Sequence, residues 1–506
     1  MKQEGRSITN PMSRKRRKKT NFPIIGSSLF LGILVIIILF LVAVGILFNV
    51  QYATKKKDPF LNAIGNQQQE QKNSNVRRVR GEIRKEMIVD DQQDTQHGII
   101  NDKVAVKKLG ENEQIYEEAP VSAAQQQGDK ASTIGRDTVT IGWAVSITGC
   151  GSDPITEGAA VLKHSIHLSS IYGNANGRYN YKMYAIYHPD AIKCAKTLET
   201  LGYELVKRET PVAVKDIQGE YLKSKIKKNG CCGEKELVKL EAYTLTQHPI
   251  IVHMDLDTLV LKPLDHLFDW MLADDASTYD ITDVPAMWPD KDKPKKVNAM
   301  FTRDYNMGHG KKNRSIQGGF LVLRPDLNVY KEFVEIIRKG DFRENGGWGG
   351  KTGVFYGSMT FQGIVPYYHD FLHPGEAVEL DRCRINQMAD NPRNKRTVND
   401  IVHGDCMTGE DECEDCRSRP LEDVVTAHFT LCQKPWLCLP EDSDVIQQRL
   451  CRKLHHQWHR IRSDLEQSWG RPEIGEGEYQ PKHFLGHCKT HSQNGYVYIK
   501  EPFGIP

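Results

Sequence analysis

No cysteine precedes Cys150, although twelve lie at or beyond it. That excludes a disulfide-stapled N-terminal domain and suits one folded region made in an oxidising compartment. Charge is also missing between Lys19 and Lys55, where Ile24 to Val50 consists mostly of Ile, Leu, Val, Phe, Gly and Ala. No small-residue cleavage site follows this span, and it exceeds the ~7–15 apolar residues of a signal peptide. As a helix it would extend roughly 40 Å, enough to cross a ~30 Å hydrocarbon core with tilt. A buried core helix is the alternative; basic flanks and a polar continuation argue against it. Eight basic residues precede the span and Lys55, Lys56 and Lys57 follow at once, so the positive-inside bias predicts a cytosolic N-terminus and a lumenal or extracellular remainder.

A broad basic face is lacking too. The first twenty residues carry a net +7, and because the whole chain is +3, the rest nets −4. A nucleic-acid-binding body is therefore not expected. With 506 residues, 39% hydrophobic and 26% charged, the chain is too long for one core and too ordinary for a collagen-like, fully disordered or multi-span membrane protein. There is no internal repeat.

The segment 51–136 is rich in Gln, Asn, Lys, Asp and Glu and poor in aromatics. It cannot bury enough apolar surface to offset chain entropy, and it reads as a flexible, disordered stem with a reach of roughly 50 Å. The predicted organisation is a basic tail (1–23), a transmembrane signal-anchor (24–50), the stem (51–136), a catalytic-type α/β domain (137–440) and a helical extension packing on it (441–506).

From Val139 onward, "VTIGWAVSI", "YKMYAIY", "YELVKRE", "PIIVHMD" and "GGFLVLR" are strand-like runs. Helical patterns from Glu157 to Ser169 and Glu234 to Gln247 lie between some of them. This alternation predicts an α/β, Rossmann-like, mainly parallel sheet flanked by helices, with ligands collecting beyond the carboxyl ends of the strands. Ile446, Leu450, Leu454, Trp458, Ile461, Leu465 and Trp469 recur every three or four residues and predict an amphipathic helix near the C-terminus. Cys413 and Cys416 have zinc-knuckle spacing, but no second well-spaced pair completes such a site, so disulfides are expected, with the pairing open. Asn313-Arg314-Ser315 is the only glycosylation sequon, usable only on the lumenal side.

Asp255 and Asp257 end the apolar run Ile250, Ile251, Val252. On an extended chain, side chains two apart point the same way, so both carboxylates would face one spot. Two like charges there repel unless a cation lies between them, and a divalent metal holding a diphosphate would supply it. An Asp-x-Asp alone also reads as solvated loop acids; the buried strand in front of it favours the metal.

"KELVKLEAYTLTQHPIIVHMDLDTLVLKPLDHLFD" resembles the metal-binding stretch of glycogenin and other family 8 glycosyltransferases. "TVTIGWAVSITGCGSDPITEGAAVLKHSIHL", "IQGGFLVLRP", "MTFQGIVPYY" and "AHFTLCQKPW" resemble further segments of that family, in its order, over about residues 138 to 436. The resemblance implies the GT-A fold and transfer of a sugar from a nucleotide-sugar, a UDP-hexose, to a glycan, glycoprotein or lipid acceptor, with retention of configuration.

It further implies that Asp255, Asp257 and His428 are metal ligands. Two carboxylates and an imidazole suit Mn²⁺ better than Mg²⁺. Lys434 would contact the donor diphosphate, Lys239 would lie near the donor, and Gln317 stands where the family has a donor-side asparagine. Gln362 would face the donor sugar opposite the leaving group, where an amide can stabilise an oxocarbenium-like centre but is a poor nucleophile. Trp436 is expected to pack. Phe361 replaces the family's acid before the glutamine, Leu431 replaces a glycine, and Ile155 stands at the family's nucleotide-stacking tyrosine, so sugar recognition is expected to differ. An anchor and stem of this pattern point to the Golgi membrane ahead of the endoplasmic reticulum. Two rivals are a catalytically silent glycan- or nucleotide-binding membrane protein, for which Phe361 and Leu431 argue, and a nucleotide-sugar pyrophosphorylase or hydrolase. The latter lacks its basic phosphate loop, because "SITGCGSDPITEG" contains no Lys or Arg.

Overall fold

Residues whose side chains alternate between two apolar layers make up the strands of the central sheet. The computed structural model describes residues 138–151, 154–279, 283, 293–308, 315–391, 393, 406–438, 449–471, 484–489 and 493–501. The expected tail, anchor (24–50) and stem lie outside them, as do Asn313 and Arg314 of the sequon and Ile446 of the C-terminal pattern. No described helix is long and apolar enough to cross a membrane.

The strands are β1 (Thr140–Ile147), β2 (Asn180–Tyr187), β3 (Glu204–Lys207), β4 (Ile251–Met254), β5 (Thr258–Val260), β6 (Ala299–Arg303), β7 (Ile316–Leu323), β8 (Phe342–Arg343), β9 (Gly347–Trp348), β10 (Ala377–Glu379) and β11 (Thr426–His428). Seven of them form one sheet in the order β10-β6-β7-β4-β1-β2-β3. Only β7 runs against the others. The mainly parallel α/β sheet expected from the sequence is thus present. Ile250, Val252 and Met254 belong to one apolar layer and Ile251 to the other, as do Val322 and Phe320 against Leu321 and Leu323. Burial on both faces explains why these strands read as continuous apolar runs.

The helices are α1 (Ile155–Ser169), α2 (Ile192–Thr200), α3 (Glu220–Lys225), α4 (Asp265–Leu272), α5 (Leu327–Lys339), α6 (Phe361–Tyr367) and α7 (Arg449–Ser468). The helical pattern expected from Glu234 to Gln247 is wound as 3₁₀ turns over Gly233–Thr244. Tighter winding brings i and i+3 side chains into line, which aligns Glu236 with Lys239. α1 comes close to the turn after β4: a Cβ on Gly158 would lie 2.4 Å from the Leu256 carbonyl. Only glycine permits that approach.

Beside the sheet, β5 and β11 pair antiparallel, with His428 opposite Thr258. Against this strand pair α7 packs Leu450, Leu454 and Trp458, together with Phe429 and Trp436. The Trp436 ring meets Trp458 edge-on at 5.9 Å, so Trp436 packs as expected. Glu157 of α1 accepts hydrogen bonds from the Tyr496 hydroxyl (2.7 Å) and the Ile499 amide (2.8 Å) and lies 3.5 Å from the fully buried Arg462 of α7. Cys432–Cys451 and Cys438–Cys488 tie the same region, and Cys383–Cys416, Cys406–Cys413 and Cys150–Cys194 complete five disulfides. The cysteines of the zinc-like spacing are therefore bonded to other cysteines.

Candidate functional site

β4 ends at Met254 in the middle of the sheet, flanked by β1 and the reversed strand β7. Because β7 runs the other way, its first residues extend past the end of β4, with Met254 opposite Phe320. The Asp255 amide continues the ladder by donating to the Gly319 carbonyl at 3.1 Å. The chain then turns at Leu256 and Asp257 instead of staying extended. The two carboxylates converge through this turn, not through the extended register expected from the sequence. The Thr258 hydroxyl, donating to the Asp255 carbonyl at 2.6 Å, fastens it.

His428 reaches the same place from far along the chain. The β5–β11 pairing sets it opposite Thr258, and the Phe429 amide donates to the Asp257 carbonyl at 2.8 Å. Ligand atoms of Asp255, Asp257 and His428 all lie within 4.8 Å of one another, and His428 Nε2 is 3.3 Å from Asp257 Oδ1. His428 is buried, and its Nδ1 has no hydrogen-bond partner. Burial lowers its pKa to about 4, with the neighbouring Asp255 opposing. The imidazole is therefore neutral near pH 7 and offers one ring-nitrogen lone pair, the form in which histidine binds a metal. Gly319 makes room for the ring: a Cβ there would fall 2.3 Å from His428 Cε1. A buried, neutral imidazole whose Nε2 stands 3.3 Å from one of two converging carboxylates, and whose Nδ1 has no partner, is a donor set that fits a divalent cation.

Two lysines balance the carboxylates. Lys239, buried, donates to Asp255 Oδ1 at 2.8 Å and to the Gly318 carbonyl at 3.0 Å, and lies 3.6 Å from Glu236. Burial would raise the Asp255 carboxyl, but Lys239 and His428 outweigh it and hold the group below its ordinary value. Burial likewise works against the Lys239 ammonium, which Asp255 and Glu236 nevertheless raise above its ordinary range. Lys434 pairs with Asp257. The structure thus brings together Asp255, Asp257, His428, Lys239 and Lys434.

Gln362, in the first turn of α6, donates from Nε2 to the Met307 sulfur at 3.4 Å. It approaches the group from the Gly318 side: a Cβ on Gly318 would lie 3.1 Å from Gln362 Cγ and 3.5 Å from Lys239 Nζ. Gln317 turns its side chain back, and its Oε1 accepts from the Gly319 amide at 2.5 Å, so it shapes the β7 entry. Phe361 is fully buried, with the Lys239 ammonium 5.7 Å from its ring centre. Leu431 is 45% exposed and fills no part of the core. Ile155 opens α1 and packs against the core.

Three residues escaped the sequence reading. Glu236 could have been found from its spacing of three before Lys239; its Oε2 accepts from the Thr360 hydroxyl at 2.9 Å. Asp304, at the end of β6, is buried and its charge acts on His428. Burial, helped by the nearby Asp390, pushes its carboxyl up to about 6, although it accepts from the Asn306 and Met307 amides at 3.0 and 3.2 Å. No local pattern marks Asp304 or Asp390, since strand pairing alone carries them here.

No protein-family model matches this chain, and no curated protein matches it in sequence. Among solved structures, it is similar to mouse xyloside xylosyltransferase 1 in its apo form, with 13% identity, a TM-score of 0.32, and coverage of 57% of this chain and 97% of that one. The galactosyltransferase LgtC in complex with donor and acceptor sugar analogues gives 11%, 0.33, 64% and 95%. The glycosyltransferase GlyE of Streptococcus pneumoniae gives 10%, 0.33, 66% and 65%. All three are described as glycosyltransferases, but likeness at these scores is too distant to carry an activity across.

Proposed function

We propose that the chain is a metal-dependent glycosyltransferase that moves a sugar from a nucleotide-sugar, a UDP-hexose, to a glycan, glycoprotein or lipid acceptor. The observation that carries this reading is the convergence of Asp255, Asp257 and the neutral, unsatisfied His428 at the carboxyl end of a buried strand, flanked by Lys239 and Lys434. Asp255, Asp257 and His428 would hold the cation, and two carboxylates with one imidazole favour Mn²⁺. Bound there, the ion would neutralise charge on the departing diphosphate.

The remaining work falls to the protein. Lys434, partly exposed on the Asp257 side, offers a second fixed positive charge to a phosphate. Lys239 fixes the Asp255 carboxylate by charge and hydrogen bond. Gln362 presents an amide, which can orient and stabilise a sugar cation but does not displace a leaving group. Two further buried acids lie nearby: Glu236 is engaged by Lys239 and the Thr360 hydroxyl, and Asp304 has two backbone amides on its Oδ1. This supports same-face attack with retention over a covalent glycosyl-enzyme.

The reading extends to a single-pass type II protein of the Golgi membrane, supported by the apolar span 24–50, its basic flanks and five disulfides, which form in oxidising compartments. The test is UDP release by the full chain in detergent with Mn²⁺ across a panel of UDP-sugars and acceptors, with product analysis. A new glycoside formed only with metal is expected. Binding without turnover would favour a silent carbohydrate-binding protein, and sugar phosphate as product would favour a pyrophosphorylase.

A further inference from the structure

Ten of the twelve cysteines are joined in five disulfides, and Cys231 and Cys232 remain as thiols, adjacent in sequence, with their sulfurs 2.7 Å apart. They occupy a tight turn in which Gly230 and Gly233 both take left-handed backbone angles, φ +69° and +60°. The Gly233 amide closes the turn on the Asn229 carbonyl at 3.1 Å. Cys231 is exposed and Cys232 half-buried, so an external reagent can reach the pair.

The turn touches the site from two directions. Cys231 Sγ lies 4.0 Å from Glu236 Oε1, and Glu236 joins the Lys239–Asp255 pair. On the other side, Asn229 Oδ1 accepts from the Met359 amide at 2.9 Å, and Glu236 holds the Thr360 hydroxyl, two residues before Gln362. A shift of the turn therefore reaches the 3₁₀ segment bearing Lys239 and the loop leading into α6.

We propose that Cys231 and Cys232 form a thiol–disulfide exchange site, closing reversibly to a vicinal disulfide at the expense of an external disulfide and thereby shifting the Gly233–Thr244 segment. Neighbouring Cα atoms are about 3.8 Å apart across a trans peptide, short of the roughly 4.4–6.8 Å usual for a disulfide. Such a bond is strained and easily reduced, the property of labile rather than structural disulfides. The other five pairs have Cα separations between 4.7 and 5.8 Å, inside the ordinary range. One chain thus carries five durable bridges and one switchable pair.

The two thiols are unequal. A hydrogen bond from Cys231 lowers the Cys232 pKa to about 7, against the opposing effect of burial, so Cys232 is the attacking thiolate. After giving its proton to solvent, it attacks one sulfur of the external disulfide, forming a mixed disulfide and expelling one external thiolate. Cys231 then gives its own proton to solvent or to the expelled thiolate, and its sulfur attacks the Cys232 sulfur, closing the vicinal bond and expelling the second external thiolate. Two protein thiols lose two electrons and two protons, and the external disulfide becomes two thiols.

The test uses the full chain in detergent, reduced with a mild dithiol that leaves the five bridges intact and then exposed to oxidised glutathione. Iodoacetamide is expected to label both cysteines in the reduced form and neither after oxidation. The peptide carrying them should then be lighter by two hydrogens, with no glutathione attached. Amide exchange over residues 233–244 should change severalfold between the two states. Cys232→Ser and Cys231→Ser, each with one thiol, should retain glutathione as a mixed disulfide and never show the loss of two hydrogens. Thiols that stay fully labelled after oxidation, or closure that leaves exchange over 233–244 unchanged, would overturn the inference. Neither readout depends on catalysis, so failure here is separate from failure of the glycosyltransferase reading.

Discussion

Gly319→Ala tests whether the buried imidazole is placed for a metal. The added Cβ would stand 2.3 Å from His428 Cε1 and 2.7 Å from Nδ1, more than ~1 Å inside the 3.5–4.0 Å optimum for carbon contacts. The ring cannot retreat freely, because His428 is buried and its strand is fixed to β5 by the Phe429–Asp257 hydrogen bond. Overpacking of this kind costs about 1–3 kcal/mol. If that cost falls on the ligand position, Mn²⁺ affinity drops roughly 5- to 150-fold. Calorimetric titration of Mn²⁺ into wild type and variant measures it, with circular dichroism confirming the fold. In a double-mutant cycle with His428→Ala, the combined loss should not exceed that of His428→Ala alone. A folded Gly319→Ala protein that binds Mn²⁺ as wild type does would refute the assignment of His428 as a ligand.

Other outcomes follow from the same geometry. Asp257→Ala should abolish Mn²⁺-dependent transfer while preserving the circular dichroism spectrum, and undiminished activity would remove the metal role. Arg462→Met leaves the buried Glu157 without its cation and Glu466 with Arg471, and breaking such a pair costs about 3–5 kcal/mol; an unfolding free energy from urea titration that falls by less than about a fifth of that cost would show the network to be inert. Burial lowers the pKa of His369 to about 3, of His455 to about 4 and of His253 to about 3, below the ordinary 6.5. In that interval the unfolded chain binds protons that the folded chain does not. Stability is therefore full above about pH 6.5 and is lost progressively as pH falls towards about 3; urea midpoints at successive pH values should decline, and a flat profile would contradict the burial argument.

The alternation of strands with helices was legible because it is written in local period. Strand residues Ile250 to Met254 announce themselves by apolarity, and the acids follow directly. The 3₁₀ winding of Gly233–Thr244 was less legible, since its apolar spacing fits either kind of helix, and packing between β2, β4 and α5 decides which forms. Gln317 shows the limit of reasoning by position: its amide is spent on the Gly319 backbone two residues away, a choice set by how tightly β7 meets β11. Phe361 was identified as a missing acid, but only the fold shows that its ring lies beneath Lys239.

Sequence alone determined that two carboxylates end a strand buried on both faces, because burial of a parallel strand demands an unbroken apolar run and its end must be polar. The tertiary structure decided what meets them. Lys434 comes from 177 residues away to pair with Asp257, and His428 arrives through the β5–β11 ladder, a non-local pairing that no local pattern encodes. It also decided that Lys239 is buried instead of solvated, and that Cys231 and Cys232 are left to each other while the other ten cysteines pair among themselves. Chain geometry fixes neighbours; only closure of the whole core fixes which distant groups share a cavity.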